Sequence, residues 1–336
     1  MAAIGIIGTG TWGTAIAVLL NRSGHKVTIC SATGRDVEDL VRTRRQKNLP
    51  EVLISEDIAI TDSLEEACGQ KDILVMAVPS IYIRRTAARM APYVRYGQVI
   101  VSAAKGIEEE TLLTMTGVIE SELPNAEVCA LSGPSHAEEV SRGLPTTCVV
   151  AAQRRKTAEY VQSVFMCPEF RVYTCADITG VEIGGALKNV IALAAGIADG
   201  LNYGDNAKAA LITRGIAEIR RLAVKMGCKG ETVNGLSGTG DLIVTCASMH
   251  SRNRRAGILI GQGKSMQEAM EEVKMVVEGV YAAKAGLALS RAFNCEMPIV
   301  EQVNRVLFEN ADPGEAVHGL MVRGRNSESE DSDWKA

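Results

Sequence analysis

Aromatic residues are scarce in this chain, at 4% of 336 residues, so its core must be aliphatic, built from Val, Ile, Leu, Ala and Met. Basic charge is not in excess either. The formal net charge is −4, which removes the positive footprint that nucleic-acid binding requires. No two cysteines stand at CxxC spacing, and the total of nine, at positions 30, 68, 129, 148, 167, 175, 228, 246 and 295, is odd. That pattern argues against a disulfide framework or a zinc site and for reduced thiols filling small core volumes, with a reactive thiol as the other reading. Long uninterrupted apolar runs are missing: stretches such as 190–195 fall well short of a bilayer's thickness. The N-terminus has no charged region followed by a long apolar run, so no signal peptide is expected. Without membrane or leader signals, a soluble cytoplasmic protein is the expectation.

What is present is the balance of a globular chain, 46% apolar and 23% charged, at a length comfortable for two domains. Short β-branched runs at 4–7, 26–30, 73–77, 99–102, 128–131 and 147–151 alternate with helical stretches, which predicts a parallel sheet covered by helices on both faces. From about residue 179 the strand signal ends. Ile212, Ile216, Ile219, Ala223 and Met226 recur at helical spacing, Gly227 supplies a stop, and 279–292 and 296–307 read as further helices. The expected organisation is therefore an α/β Rossmann-type domain over 1–178, an all-α domain over 179–325, and an acidic, disordered tail over 326–336.

The opening stretch IGIIGTGTWGTAIA places Gly8, Gly10 and Gly13 in G-x-G-x-x-G between a strand and a helix. Alone the pattern is weak; inside a βαβ-sized unit it predicts a dinucleotide turn. Gly8 allows the tight turn, Gly10 admits the pyrophosphate, and Gly13 lets helix and strand pack closely. The helix N-terminus adds unpaired N–H groups and partial positive charge. NAD-selective sites usually end the second strand with an acid, but here the chain continues Cys30-Ser31-Ala32-Thr33-Gly34-Arg35. Arg35 suits a 2′-phosphate, so the reading leans to NADPH or to dual use, with a solvated loop charge as the plainer alternative.

Four further segments carry chemistry. Lys105 follows the strand at 99–102, facing the crevice where α/β proteins bind ligands. LSGPSHAEE (131–139) is a second strand-to-helix turn, in which Ser135 and Glu138 read as a capping box and His136 as a possible proton donor, though a lone histidine is more often simply packed. In GGALKNVIALAA (184–195) the helix is apolar on nearly every side, so Lys188 either snorkels to water or sits desolvated with a lowered pKa, able to exchange a proton with an alcohol or ketone near neutrality. Asp241, in LSGTGDL (236–242), is either a helix cap or the carboxylate that positions Lys188. Ser251, Arg252 and Asn253 group a hydroxyl, a guanidinium and an amide suited to phosphate. Together these groups suit a substrate with phosphate at one end and a carbonyl or hydroxyl at the other.

In this order the segments resemble the bacterial-type NAD(P)-dependent glycerol-3-phosphate dehydrogenases. The resemblance is carried by IGTGTWGTAIA, SAAKGIE, LSGPSHAEEVSRGLPT, GALKNVIALAAGIADGL, GLSGTGDLIVTC, SRNRRAG and VVEGV, and spans about residues 3–307. It implies a Rossmann domain followed by a helical domain, usually as a homodimer. It also implies reversible reduction of dihydroxyacetone phosphate to sn-glycerol 3-phosphate for glycerophospholipid synthesis. Lys188 matches the proton acceptor. Lys105, Gly133, Ser135, Asp241, Ser251, Arg252 and Asn253 match substrate contacts, with Lys105 and Arg252 also near cofactor. Thr11, Trp12, Ala137, Val276 and Glu278 match cofactor contacts. The chain departs from the family where Ala32 or Thr33 replaces an arginine, and where His136 replaces a phenylalanine. Two other readings stand beside this one: a two-domain keto-acid reductase of the ketopantoate reductase kind, and a non-catalytic NAD(P)H sensor, which would not need Lys105, Lys188 and Asp241 together.

Overall fold

The computed structural model describes residues 1–34, 36–324 and 328; Arg35 and most of the acidic tail lie outside the described residues. An eight-stranded sheet forms the first half among these residues: β1 Ala3–Ile7, β2 Lys26–Cys30, β3 Ala59–Thr61, β4 Ile73–Met76, β5 Val99–Ser102, β6 Glu127–Ser132, β7 Thr146–Ala152 and β8 Phe170–Cys175. The strand order is β3-β2-β1-β4-β5-β6-β7-β8. The order reverses between β1 and β4, which opens a crevice at the carboxyl ends of these strands. All pairs are parallel except β6 with β7, where Cys129 faces Ala152. The expectation of a wholly parallel sheet is corrected at that point, because the short turn through α6 (Ala137–Val140) sends the chain back along its neighbour.

Period-2 alternation assigns each strand two faces. Ile73 and Val75 of β4 join Ile4, Ile6 and Ile29 on one side. Leu74 and Met76 join Ile7 and Ile100 on the other. The covering helices are α1 Thr11–Arg22, α2 Val37–Thr43, α3 Leu64–Cys68, α4 Ile83–Met90, α5 Met115–Glu122, α6 and α7 Arg155–Phe165. Strands β3 and β8 are absent from the sequence-based reading. The first is only three residues long, and the second is an edge strand whose Phe170 and Val172 are buried while Arg171 and Tyr173 are exposed.

Beyond Cys175 the described structure is helical: α8 Ile178–Gly200, α9 Gly204–Lys225, α10 Gly230–Val233, α11 Asp241–Ala247, α12 Arg252–Gly261, α13 Met266–Val273, α14 Glu278–Ala292, α15 Pro298–Phe308 and α16 Pro313–Met321. Helix α8 is long and apolar enough to cross a membrane by length and composition, yet its apolar 18-residue window is wholly buried inside the protein. It is the axis of the second core, surrounded by Ile219 and Leu222 of α9, Ala256 and Ile260 of α12, and Ala283 and Leu289 of α14. Helix α12 approaches it through two facing pairs of glycines. A Cβ on Gly196 or Gly257 would fall 2.2 Å from the carbonyl oxygen of Arg254 or Leu193. At Gly200 and Gly261 the corresponding distance to Ile258 O or Ile197 O is 2.3 Å. Such contact is available only to glycine, and it lays α12 along the C-terminal end of α8.

All nine cysteines are free thiols. Burial pushes Cys68, Cys129, Cys148 and Cys246 up to about 12, so these thiols are core fillers rather than nucleophiles.

Candidate active site

The glycine turn sits at the mouth of the crevice. Gly8 has φ +125°, and a Cβ there would lie 2.6 Å from Ala77 O. A Cβ on Gly13 would lie 2.0 Å from Gly8 O, so helix and strand meet as closely as backbone permits. Gly10 differs: a Cβ added there meets nothing within 4 Å. The backbone at Gly10 thus faces open space, and α1 has neither a side-chain cap nor an acidic residue in its first turn. Its first N–H groups are left for an anion, and the turn fits a dinucleotide pyrophosphate. Trp12 packs against the adjoining core. The Thr11 hydroxyl accepts a hydrogen bond from Asn48 Nδ2 at 3.2 Å.

Further along the crevice, residues distant in sequence converge. Helix α8 presents Lys188, 5% exposed, and α11 presents Asp241, 2% exposed. Lys188 Nζ donates to Asp241 Oδ1 at 2.9 Å and to Thr245 Oγ1 at 2.6 Å. The Thr245 hydroxyl in turn donates a hydrogen bond to the Asp241 main-chain carbonyl at 2.6 Å. Lys105, from the segment after β5, donates to the second carboxylate oxygen of Asp241 at 2.6 Å and to Gly133 O at 3.0 Å. One carboxylate therefore grips two ammonium groups, one from each domain. Each ammonium has three donors, and two are engaged in each case, so each lysine retains one N–H beyond these bonds.

Burial is the largest influence on Lys188 and pushes its pKa down; Asp241 opposes this and Lys105 adds to it, leaving a value of about 8. For Asp241, burial favours the neutral acid, but Lys105 and Lys188 together hold the carboxyl below its usual range. The aspartate thus stays ionised while Lys188 is poised to gain and lose a proton.

Close packing of α8 keeps this cluster in place. A Cβ on Gly185 would lie 2.7 Å from Ser132 Oγ, and one on Gly184 3.2 Å from Gly238 Cα, in the one-turn π-helical stretch Leu236–Gly240 that leads into Asp241. Gly133 has φ +136°, and its Cβ would press on Cys148.

The expected capping box is not formed. His136, not Ser135, is the N-cap of α6, without a side-chain bond, and Ser135 Oγ donates to Gly133 O at 3.0 Å. The glycine turn around Gly133 draws the serine backward, away from the helix. His136 lies 6.0 Å, ring to ring, from His250, and its Nε2 is buried without a partner. Burial first, then Lys188, lowers its pKa and favours the neutral ring.

Ser251 caps α12 by accepting from Arg254 N at 3.2 Å. The Asn253 amide is already engaged on both sides, donating to Asn189 Oδ1 and accepting from Gly279 N, each at 2.8 Å. It ties together α8, α12 and α14. Arg252 donates to Val276 O at 3.1 Å, from a half-buried position. Glu278, at the start of α14, accepts from Ser80 N at 3.1 Å and from the Ser80 hydroxyl, linking the helical domain to the residues just past β4. Burial pushes the Glu278 carboxyl up. Ala137 is buried in the sheet core. Sequence reasoning missed Thr245 and Ser80. Thr245 stands four residues after Asp241 on one helix, a spacing that would have found it; Ser80 carries no local signal.

A dinucleotide turn at a sheet's switch point, opposed by a buried lysine from a helical domain, defines a two-domain nicotinamide-dependent dehydrogenase. Comparison with known proteins specifies the class. The family models described as NAD-dependent glycerol-3-phosphate dehydrogenase N-terminus and C-terminus match residues 3–158 and 177–318. The chain is 58% identical over 331 residues to glycerol-3-phosphate dehydrogenase (NAD(P)+) of Fusobacterium nucleatum, covering 98% of this chain and 99% of that one. It is 57% identical over 336 residues to the enzyme of the same name from Agathobacter rectalis, covering both chains completely. The crystal structure of glycerol-3-phosphate dehydrogenase from Coxiella burnetii superposes with a TM-score of 0.92 at 36% identity, covering 96% of this chain and 99% of that one. The chain belongs to the NAD-dependent glycerol-3-phosphate dehydrogenase family.

Proposed function

We propose that this protein reduces dihydroxyacetone phosphate to sn-glycerol 3-phosphate, reversibly, with Lys188 exchanging the proton. The observation that carries this reading is the buried Lys188–Asp241–Lys105 cluster beside the dinucleotide crevice. When bound, the nicotinamide supplies or accepts the hydride. Lys188, protonated, gives its free N–H to the carbonyl oxygen and releases the proton as that oxygen becomes an alcohol; in reverse, neutral Lys188 takes it back. Lys105 adds positive charge beside the same oxygen, where charge develops. Asp241 stays ionised throughout, fixing both amines. Thr245 holds the direction of the Lys188 amine. Arg252 and the cap of α12 at Ser251 face the phosphate end, and Asn253 keeps that turn in register. Gly133 and Ser135 border the reacting oxygen.

On the cofactor side Gly8, Gly10, Thr11, Trp12 and Gly13 receive the dinucleotide. Lys105, Ala137, Arg252, Val276 and Glu278 are its further contacts. The proposed division of the chain remains 1–178 and 179–325. Free thiols, most of them buried, are compatible with a reducing cytoplasm, and a homodimer is the proposed assembly. The product would supply glycerophospholipid synthesis.

The test is absorbance at 340 nm with dihydroxyacetone phosphate or ketopantoate as oxidant, and NADH or NADPH as reductant. Rapid turnover of the phosphorylated ketone and none of the keto acid is expected. Preference for ketopantoate would overturn the substrate assignment, and no turnover with either would overturn the enzymatic one.

A further inference from the structure

The tip of β2, Ser31-Ala32-Thr33-Gly34, carries neither the acid nor the arginine by which such a strand usually distinguishes NAD from NADP, and Arg35, which follows, lies outside the described residues. The structure supplies charge from elsewhere. A cleft of about 440 Å³ opens beyond that tip, lined by Ala32, Thr33, Gly34, Asp62, Arg85 and Arg89. It lies where the adenosine ribose of a dinucleotide bound at the glycine turn must fall, since β2 is the strand next to β1. Arg85 and Arg89 stand one turn apart on α4, so both side chains leave the same face of the helix, and both line the cleft. Arg89 donates to the Ala32 carbonyl, fixing it to the loop after β2. Arg85 lies 5.9 Å from the Tyr82 ring. Asp62, which follows β3, lines the same cleft; Ser31 N bonds to Thr61 O at 3.0 Å, and a Cβ on Gly34 would lie 4.0 Å from the Asp62 carboxylate, which sets that carboxylate beside the end of β2.

We propose that Arg85 and Arg89 form the subsite for the 2′-phosphate of NADPH, and that Asp62 limits the preference by accepting the 2′-hydroxyl of NADH and repelling the phosphate. This rests on the nucleotide reading of the crevice given above. Guanidinium groups bind a phosphate through paired, charge-assisted bonds, and one already held by a backbone carbonyl has less freedom to lose. A carboxylate in the same cleft accepts a hydroxyl and opposes a dianion. The arrangement therefore admits both cofactors and discriminates by the balance of two arginines against one aspartate.

The experiment measures equilibrium dissociation constants of NADH and NADPH, which differ only in the 2′-phosphate, by quenching of protein fluorescence. The wild type is compared with Arg85→Gln, Arg89→Gln, the double variant and Asp62→Asn. Each arginine substitution is expected to weaken NADPH roughly tenfold, and the pair more, with NADH held within about twofold. Asp62→Asn is expected to tighten NADPH roughly threefold and to weaken NADH. Raising salt should weaken NADPH more than NADH in the wild type and equalise the two in the double variant. NADPH affinity unchanged in the double variant overturns the proposal, and so does an equal loss of both cofactors. Because Arg89 also holds the loop after β2, Arg85→Gln alone decides the matter if Arg89→Gln fails to fold. If the wild type binds neither cofactor, the nucleotide reading itself falls.

Discussion

Two glycine sites, one in each half of the molecule, serve opposite ends. In the sheet domain Gly10 leaves backbone exposed to an empty space. In the helical domain Gly196, Gly200, Gly257 and Gly261 abolish space, letting α8 and α12 touch backbone to backbone. The first arrangement is shaped for a ligand, and the second for a neighbour that never leaves. The chemistry divides along the same line. The sheet side offers backbone N–H groups and Lys105, whereas the helical side offers Lys188 and Asp241, two ionised groups kept dry by the packing around them. Two charges buried together are costly unless paired and hydrogen-bonded. Here each charge has a partner, and the Lys105–Asp241 pair, like the Ser80–Glu278 bonds, crosses between the halves.

The sharpest way to break this comparison is Lys188→Ala. Turnover should fall roughly 10²–10⁴-fold, while NADH affinity, measured by fluorescence, stays near wild type because the glycine turn is untouched. Loss of cofactor binding with little loss of chemistry would reverse the division of labour.

Next in size is Gly257→Ala. The new methyl group would lie 2.2 Å from Leu193 O. Overpacking of this kind costs about 1–3 kcal/mol, against about 1 kcal/mol gained in helix propensity. The melting temperature should fall by a few degrees, and Gly257→Leu should be worse. A higher melting temperature for Gly257→Ala would show that the helices separate freely.

Gly10→Ala is the counterpart in the other half. With φ −66° and ψ 175°, the residue sits where alanine is at ease, so stability should hold or rise by about 0.4–1 kcal/mol. The dissociation constant for NADH should nevertheless rise roughly tenfold, read by the same titration. Equal affinity would mean that no pyrophosphate passes over Gly10.

The smallest effect is a displacement in pH. With Lys188 near 8, the protonated donor is lost as pH rises through that value, so reduction should decline above about pH 8. Oxidation, which needs the neutral amine, should rise up to about pH 8 and then level. Asp241 raises the Lys188 pKa, so Asp241→Asn should move both breaks to lower pH, alongside its loss of activity. An unmoved break would detach the profile from Lys188.

The sequence was legible where signals are local. The βαβ unit with its three glycines, the apolar run around Lys188 and the helical face from Ile212 to Met226 each announce themselves within a few turns of chain. Strand β3 was not legible because three residues cannot display an alternation. Strand β8 does alternate, Phe170 and Val172 inward and Arg171 and Tyr173 outward, and could have been found. The antiparallel β6–β7 pair was hidden because pairing direction depends on how a turn closes, not on strand composition. Ser135 was misread because its hydroxyl could accept from the helix that follows or donate to the turn that precedes it, and the Gly133 carbonyl took it.

By itself the sequence determined the two kinds of core, the position of the glycine turn and the residue types available for proton transfer, because these follow from short-range periodicity and backbone freedom. Only the tertiary structure decided that one aspartate would hold two lysines, that Thr245 would direct one of them, that Glu278 would reach Ser80 across 198 positions, and that arginines from α4 would line the cleft at the end of β2. Those arrangements join residues whose separation along the chain carries no information about their distance in space; they arise only when two cores, each closed by its own apolar packing, are set against one another.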